Sequence, residues 1–398
     1  MKTENVSIKE PLNETLPSIE FDVAASWQRV IRRRSFLKSV GIATVVLPVG
    51  ALVAGNPAFA SQIRPKPRVS SSSLNAGDTA ILRFLAAAEI LETDLWTQYE
   101  ELGGVNGGNA AYKAALQNLD GDMPQYITDN TDDELSHDQF LNAYLVSRGA
   151  PPVNLDAFRT LPGSRATGAK KIGRLTNLMQ LNVDLSWYTR YRSMENPDFG
   201  DKFKGPFQIT DQAAIPIDDL ETPPNMPQPV PPTTAQQSRM QAIANTAGFH
   251  FATIEQGGSS LYTCMATKAS DLEVLKIVVS IGGVEVNHFA IWHDKAGNAV
   301  SQPLAGVVDP VTGLKFPDLN APPTELTQTN KIMPEPCDLI SESLPDCSII
   351  RPSSVENAGA VAAATALTNM NLFAGQTDDF FDALMDLATA ADAAQRSM

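Results

Sequence analysis

Between residue 78 and about residue 102, the stripe Leu82, Leu85, Glu89, Glu92, Trp96 and Tyr99 advances by alternating steps of three and four, with Thr97, Gln98 and Glu101 outside it. That period predicts a helix, opened by the capping sequence Asn75-Ala-Gly-Asp78, with two acids on an otherwise apolar seam. Gly103-Gly104 and Gly107-Gly108 close it, a short helix over 110–119 follows, and Asp120-Gly-Asp-Met-Pro124 turns the chain. A second long helix is predicted from about Gln125 to Arg148, with Ile127, Glu134, His137, Leu141 and Tyr144 on one face and Gly149-Ala-Pro-Pro as its stop. The period returns at Thr234 with Ala244, Gly248, Phe251, Glu255 and Tyr262, and again from Ser270-Asp271 with Val274, Val278, Ile281, Glu285, His288 and Trp292. Both pairs run in the same order: a helix with a seam glutamate, a turn, then a helix with Glu-x-x-His. This is a weak internal repeat of helix pairs.

These four segments predict an all-α fold, a four-helix bundle with a long crossover insertion between its second and third helices and accessory helices at the C-terminus. The expected divisions are an N-terminal extension and leader over 1–60, a linker over 61–74, the first helix pair over 75–150 and the crossover over 151–233. The second helix pair follows over 234–296, then a Pro-rich loop region over 297–353 and C-terminal helices over 354–398. Within the crossover, Leu175 to Arg192 reads as one docked helix before a stretch dense in proline from Pro216 to Pro232. A crossover at this point is what allows two parallel helix pairs in a bundle. Gly257-Gly258 beside Glu255 costs roughly 1 kcal/mol per glycine relative to alanine, which points to close packing or room for a site. The tail carries two Ala-rich helical stretches, with Leu372-Phe373 and Phe380-Phe381 as packing points against the bundle or a second subunit.

The chemistry lies in Glu134-x-x-His137 and Glu285-x-x-His288, which use two of the four histidines in the chain. One helical turn separates the members of each pair, so carboxylate and imidazole stand side by side. A single such step is ordinary on a helix face; two, each preceded by a helix with a seam glutamate, form the ligand set of a dinuclear carboxylate site. Four buried glutamates would be prohibitive without compensation, whereas two divalent cations balance them and leave two neutral imidazoles as nitrogen ligands. Oxygen-rich ligation with one nitrogen per ion suits iron or manganese, with zinc left open. Glu134, His137, Glu255, Glu285 and His288 follow from the pattern, while the first helix offers Glu89 and Glu92 one turn apart. Glu92 has Tyr99 seven residues on, as Glu255 has Tyr262, and both tyrosines are candidate hydrogen-bond or redox partners of the site; a buried core tyrosine is the plainer reading. His250 and His293 are five residues from a ligand, hence off its face, and are not expected to be ligands.

Composition narrows the setting. Arg33-Arg34-Ser35-Phe36-Leu37-Lys38, the uncharged stretch from Val40 to Ala54 and the step Ala58-Phe59-Ala60 have the form of a twin-arginine export signal cleaved near Ala60. The expectation is a periplasmic or secreted protein handled by the twin-arginine machinery, with no later apolar run long enough to span a bilayer. The net charge is −15, and the first sixty residues hold seven basic and five acidic side chains, so without them it is −17. Such a chain is a poor partner for nucleic acid or an anionic membrane surface and attracts cations. Of three cysteines, Cys337 and Cys347 could bridge in an oxidising compartment, Cys264 reads as a buried thiol, and no Cys-x-x-Cys pair offers a thiolate zinc site.

The segments Phe84-Leu-Ala-Ala-Ala-Glu89-Ile-Leu-Glu92, Glu134-Leu-Ser-His137, Gly248-Phe-His-Phe-Ala-Thr-Ile-Glu255 with Leu261-Tyr262, and Ile281-Gly-Gly-Val-Glu285-Val-Asn-His288 resemble the ferritin-like superfamily. More narrowly, they resemble its ferritin-like domain proteins related to plant desiccation-induced proteins. The resemblance covers roughly 75–150 and 235–296. It implies an antiparallel four-helix bundle with a di-metal carboxylate site, in which the first-helix acid matches Glu89. Members of the superfamily include oxidases, peroxide-consuming catalases and iron-storage shells. The leading expectation is an exported di-iron or di-manganese protein that reacts with dioxygen or peroxide in a protective or oxidase role. The alternatives are metal storage without turnover, which calls for a large homo-oligomer, and a metal-free structural stress protein.

Overall fold

Asn75 opens the first long helix, its side chain accepting the amide of Asp78, and the helix α1 runs Ala76–Gly103. In the computed structural model the described residues are 73–190, 198–199, 205, 207–219, 221, 234–297, 304–318, 334–336, 340–348 and 354–397. The twin-arginine stretch with its cleavage step, most of the Pro-dense stretch and Cys337, and with it the pairing of Cys337 with Cys347, lie outside the described residues. After α1 come the short α2 (Ala110–Gln117) and the long α3 (Met123–Ser147). The crossover holds a two-stranded antiparallel sheet, β1 (Leu181–Val183) with β2 (Ile209–Gln212), and the one-turn α4 (Ser186–Arg190). Two long helices follow, α5 (Thr234–Lys268) and α6 (Leu272–Trp292), the latter capped by Asp271 and extended by a π-helical turn over His293–Gly297. A two-residue strand pair, β3 (Pro334–Glu335) and β4 (Cys347–Ser348), precedes α7 (Val355–Ala358), α8 (Ala360–Asn369) and α9 (Asp378–Asp392).

Cross-contacts give the helix directions. Thr131 donates to the carbonyl of Trp96 and His137 faces Glu89, so α1 and α3 are antiparallel. His288 pairs with Glu255 on the antiparallel α5 and α6. Tyr99 meets His250 at one level while Tyr262 donates to Glu89 at another, so α1 and α5 are antiparallel as well. Asp78 accepts the amides of Ser270 and Asp271 at 2.8 and 2.9 Å at one end of α1 and α6, and Trp96 stacks on Trp292 near the other, so these two are parallel. The order is up, down, down, up, and the crossover returns the chain between α3 and α5 as expected for this topology. The apolar seams of all four helices meet in one core in which Ile81, Leu82, Leu85, Trp96, Leu141, Phe251, Val274 and Val278 are fully buried.

Two expectations fail. The stretch from Leu175 to Arg192 is not one docked helix; among its described residues helix is confined to Ser186–Arg190. Its backbone donors are taken by tertiary partners: the amides of Leu175 and Thr176 donate to the Asp94 carboxylate at 3.0 Å, and those of Asn177 and Asn182 to the carbonyls of Leu372 and Met370. A chain whose amides are satisfied from outside gains nothing by turning them inward. The second failure concerns apolar runs, for the stretch Leu272–Lys295 is long and apolar enough to cross a bilayer by length and composition. The helix earns that composition as the most apolar stave of the bundle, and it buries Glu285 and His288 among the other helices.

Asp94 is the anchor of the crossover. One of its oxygens accepts three donors from Leu175 and Thr176, the other pairs with Arg159 at 2.6 Å. The C-terminal segment is tied in by its own carboxylate, since Asp392 of α9 accepts the first amides of α8 at 2.8 and 2.9 Å. Phe373, Phe380 and Phe381 pack together where this segment covers the bundle, so its docking is within the chain. Replacing Asp94 with Ala would orphan two buried amides and leave the Thr176 hydroxyl with the Gln98 amide alone. Asp94→Ala is expected to lower unfolding free energy by about 3 kcal/mol in denaturant titration, with helix content retained.

Candidate metal centre

Glu89, Glu134, Glu255 and Glu285, one from each long helix, are fully buried and converge at mid-bundle, with His137 and His288 nearly so. Two groups of four have ligand atoms all within 4.8 Å of one another: Glu89, Glu134, His137 and Glu285, and Glu134, Glu255, Glu285 and His288. Glu134 and Glu285 belong to both. Each group draws three residues from one helix pair and a single carboxylate from the other. His137 offers Nδ1 to Glu134 at 3.1 Å and to Glu89 and Glu285 at 3.5 Å. His288 offers Nδ1 to Glu134 at 3.0 Å and Glu255 at 3.2 Å, while its Nε2 meets the Asp133 carboxylate at 3.2 Å. A carboxylate on the far ring nitrogen is the arrangement that orients a metal-binding imidazole.

The protonation of these groups follows from crowding. Burial, then the charges of Glu134, Glu255 and Glu89, holds the Glu92 carboxyl well above the usual carboxylate range, and burial with its neighbours does the same to Glu285. Glu134 is pushed up to about 7 by burial and by Glu255, against the hydrogen bonds of the two histidines. Burial alone would lower His137, but its hydrogen bonds and attraction to Glu134 and Glu89 outweigh that and raise it to about 10. Acids driven toward neutrality and imidazoles driven toward cations mark a pocket short of positive charge. Both oxygens of Glu285, Oε2 of Glu89 and Oε1 of Glu92 are buried without a hydrogen-bond partner. Buried orphans of this kind call for an absent partner, and a cation is the partner that acids accept. The residues present fit a metal.

Neighbouring residues hold the ligands in place. Asn130, one turn before Glu134, donates from its amide to Glu134 at 3.0 Å and Glu255 at 2.9 Å, and its carbonyl accepts the Trp292 indole at 2.7 Å. A Cβ at Gly258 would stand 2.2 Å from Oε2 of Glu285, and one at Gly282 would stand 2.7 Å from Cβ of Tyr262. The glycines that weaken these helices are therefore the room in which a ligand carboxylate and its neighbour sit. Asn130 and Asp133 escaped the sequence reading, although Asn130 stands one turn from Glu134 on the same seam.

The remaining candidates fall as follows. Between Glu89 and Glu92, the four-residue groups take Glu89; Glu92 lies one turn on, buried, outside both. Tyr262 donates to Glu89 across the helix pairs rather than to Glu255 on its own helix. Tyr99 is a correction: its hydroxyl shares a hydrogen bond with Nδ1 of His250 at 2.7 Å and touches no carboxylate, because two turns carry it into the aromatic layer of Trp96 and Phe251. His250 and His293 join neither group, and burial lowers them to about 3 and about 4. A family model for the ferritin-like domain matches residues 77–298, and the chain belongs to that family. No curated protein and no solved structure matches the chain.

Two outcomes are expected. Gly258→Ala forces its methyl into the Glu285 carboxylate and should abolish metal retention, read by elemental analysis of the purified protein, at a cost of about 1–3 kcal/mol in stability. In metal-free protein, the folded chain keeps the Glu134 proton up to about pH 7, whereas the unfolded chain releases it near 4.5. The stability that proton contributes is complete below the unfolded value and lost as pH rises through the folded one. His137, raised from 6.5 to about 10, adds a loss in the same direction at higher pH. The melting temperature of metal-free protein should thus fall as pH rises from about 5 to 8, and saturating divalent metal should flatten the decline.

Proposed function

We propose that the chain holds a dinuclear iron or manganese centre and uses it, outside the cytoplasm, to react with dioxygen or peroxide in a protective or oxidase role. The observation that carries this reading is the sharing of Glu134 and Glu285 by both four-residue groups. Two carboxylates common to two ligand sets are suited to bridge two ions, with Glu89 and His137 completing one set and Glu255 and His288 the other. Four glutamates and two imidazoles supply oxygen-rich ligation for two divalent ions with charge balanced, which favours iron or manganese over softer metals. Ions held by these residues would supply Lewis acidity and redox capacity toward a small oxidant.

The chain's own residues would set the conditions. The aromatic layer of Trp96, Phe251 and Trp292 excludes water on one side. Tyr262 fixes the Glu89 carboxylate and Asn130 fixes Glu134 and Glu255, so ligand positions are held before any ion arrives. Asp133 holds the His288 ring by its outer nitrogen. The twin-arginine form of Arg33 to Lys38 supports export, since that route carries folded proteins that can already contain metal.

Protein purified from iron- and manganese-replete cells should carry about two metal ions per chain, and Glu134→Ala, which removes a ligand from both groups, should lose both together. Less than about half an ion per chain, with no change on Glu134→Ala, overturns the reading. Storage without turnover predicts a large shell by light scattering and no consumption of peroxide or dioxygen by the loaded protein.

A further inference from the structure

A cavity of ≈ 590 Å³ borders the carboxylate centre, walled by α1, α5, the β1 and β2 sheet and the C-terminal α8. Glu92 on α1 and Gly257-Gly258 on α5 are part of its lining. At Gly258 the absence of a side chain leaves the wall directly against the Glu285 carboxylate. Glu92 is only 9% exposed and its Oε1 has no hydrogen-bond partner, so the lining includes a buried polar atom open to a ligand. The walls elsewhere combine apolar side chains, Leu91, Leu95, Ile254 and Leu261 among them, with neutral polar ones such as Asn182, Thr253 and Gln256.

Size and charge define what fits. A water's share of volume is about 30 Å³, so peroxide or dioxygen would leave such a space almost empty. It lies instead in the range of organic-ligand pockets, about 300–1,000 Å³, with more apolar than polar wall. The described lining residues include the acids Glu92, Asp184 and Glu356 and no Lys, Arg or His. An anion would lose its hydration beside these acids, with no cation among the described lining residues to replace it. We propose that this cavity binds a neutral or cationic, mainly apolar organic molecule with its polar end at Glu92, beside the carboxylate centre. This deepens the dinuclear reading and rests on it for what the molecule is there to do, as the organic substrate of the centre; binding itself rests on the cavity.

The test uses the neutral apolar fluorophore N-phenyl-1-naphthylamine, titrated into full-length protein with and without metal. Saturable binding of one probe per chain is expected in both forms. Ala366→Phe or Ala362→Phe, on the α8 wall and away from every ligand, should weaken it by about tenfold with metal content and melting temperature unchanged. Decanol and decylamine should displace the probe at about tenfold lower concentration than decanoate. Absence of saturable binding, wild-type affinity in both variants, or decanoate competing as well as decanol would overturn the proposal; if a variant fails to fold, the competition decides alone. Probe bound to a chain that takes up no metal would instead remove the dinuclear reading and leave the cavity's specificity standing.

Discussion

Four glutamates buried at the middle of one bundle are the constraint on which the rest of this molecule turns. Without positive charge among them they repel one another and lose their hydration, and the raised pKa values of Glu92, Glu134 and Glu285 are the record of that conflict. The architecture is arranged to tolerate it. Every long helix supplies one acid, Asn130 and Tyr262 hold three of the four carboxylates in position, and Gly258 gives the fourth its space. A core designed for stability alone would place apolar side chains at these positions, since well-packed apolar groups are generally equal or better there. Acids at these positions suit a site that could take up something of opposite charge.

The rest of the chain serves that core at a distance. The down-to-down passage between α3 and α5 cannot be made by a tight turn, and the crossover that makes it is fastened by Asp94 rather than by helix packing. The C-terminal helices lean on the same crossover through the carbonyls of Leu372 and Met370. Acidic side chains therefore do two opposite jobs in one protein. Asp78, Asp94 and Asp392 each accept two backbone amides, while neither oxygen of Glu285 has a hydrogen-bond partner.

Much of this was legible in the linear chain, and the reasons are local. Helices α1, α3, α5 and α6 announce themselves because a 3.6-residue period over more than twenty residues survives any tertiary context, and Glu-x-x-His is a one-turn relation that needs no partner to be read. What stayed hidden was set by contacts distant in sequence. The Leu175 to Arg192 stretch has helical periodicity but spends its amides on Asp94 and on the tail, partners about 80 and 190 residues away along the chain. Tyr99 and Tyr262 are both seven residues beyond a glutamate, yet one turns to His250 and the other to Glu89 on a different helix, a choice made by neighbours that spacing cannot see. Likewise, Glu89 joins a four-residue group and Glu92 joins neither, a difference set by the facing helices rather than by spacing along α1.

The three-plus-one make-up of each ligand group has a consequence for how the molecule is assembled. The α1 and α3 pair holds Glu89, Glu134 and His137 but lacks Glu285, and the α5 and α6 pair holds Glu255, Glu285 and His288 but lacks Glu134. Neither hairpin can complete a coordination sphere alone, though each can form from contacts close in sequence before the long loop between them has closed. Under the dinuclear reading, complete metal loading would be a late event that records the docking of two half-molecules, with the ions placed across the seam between the two hairpins.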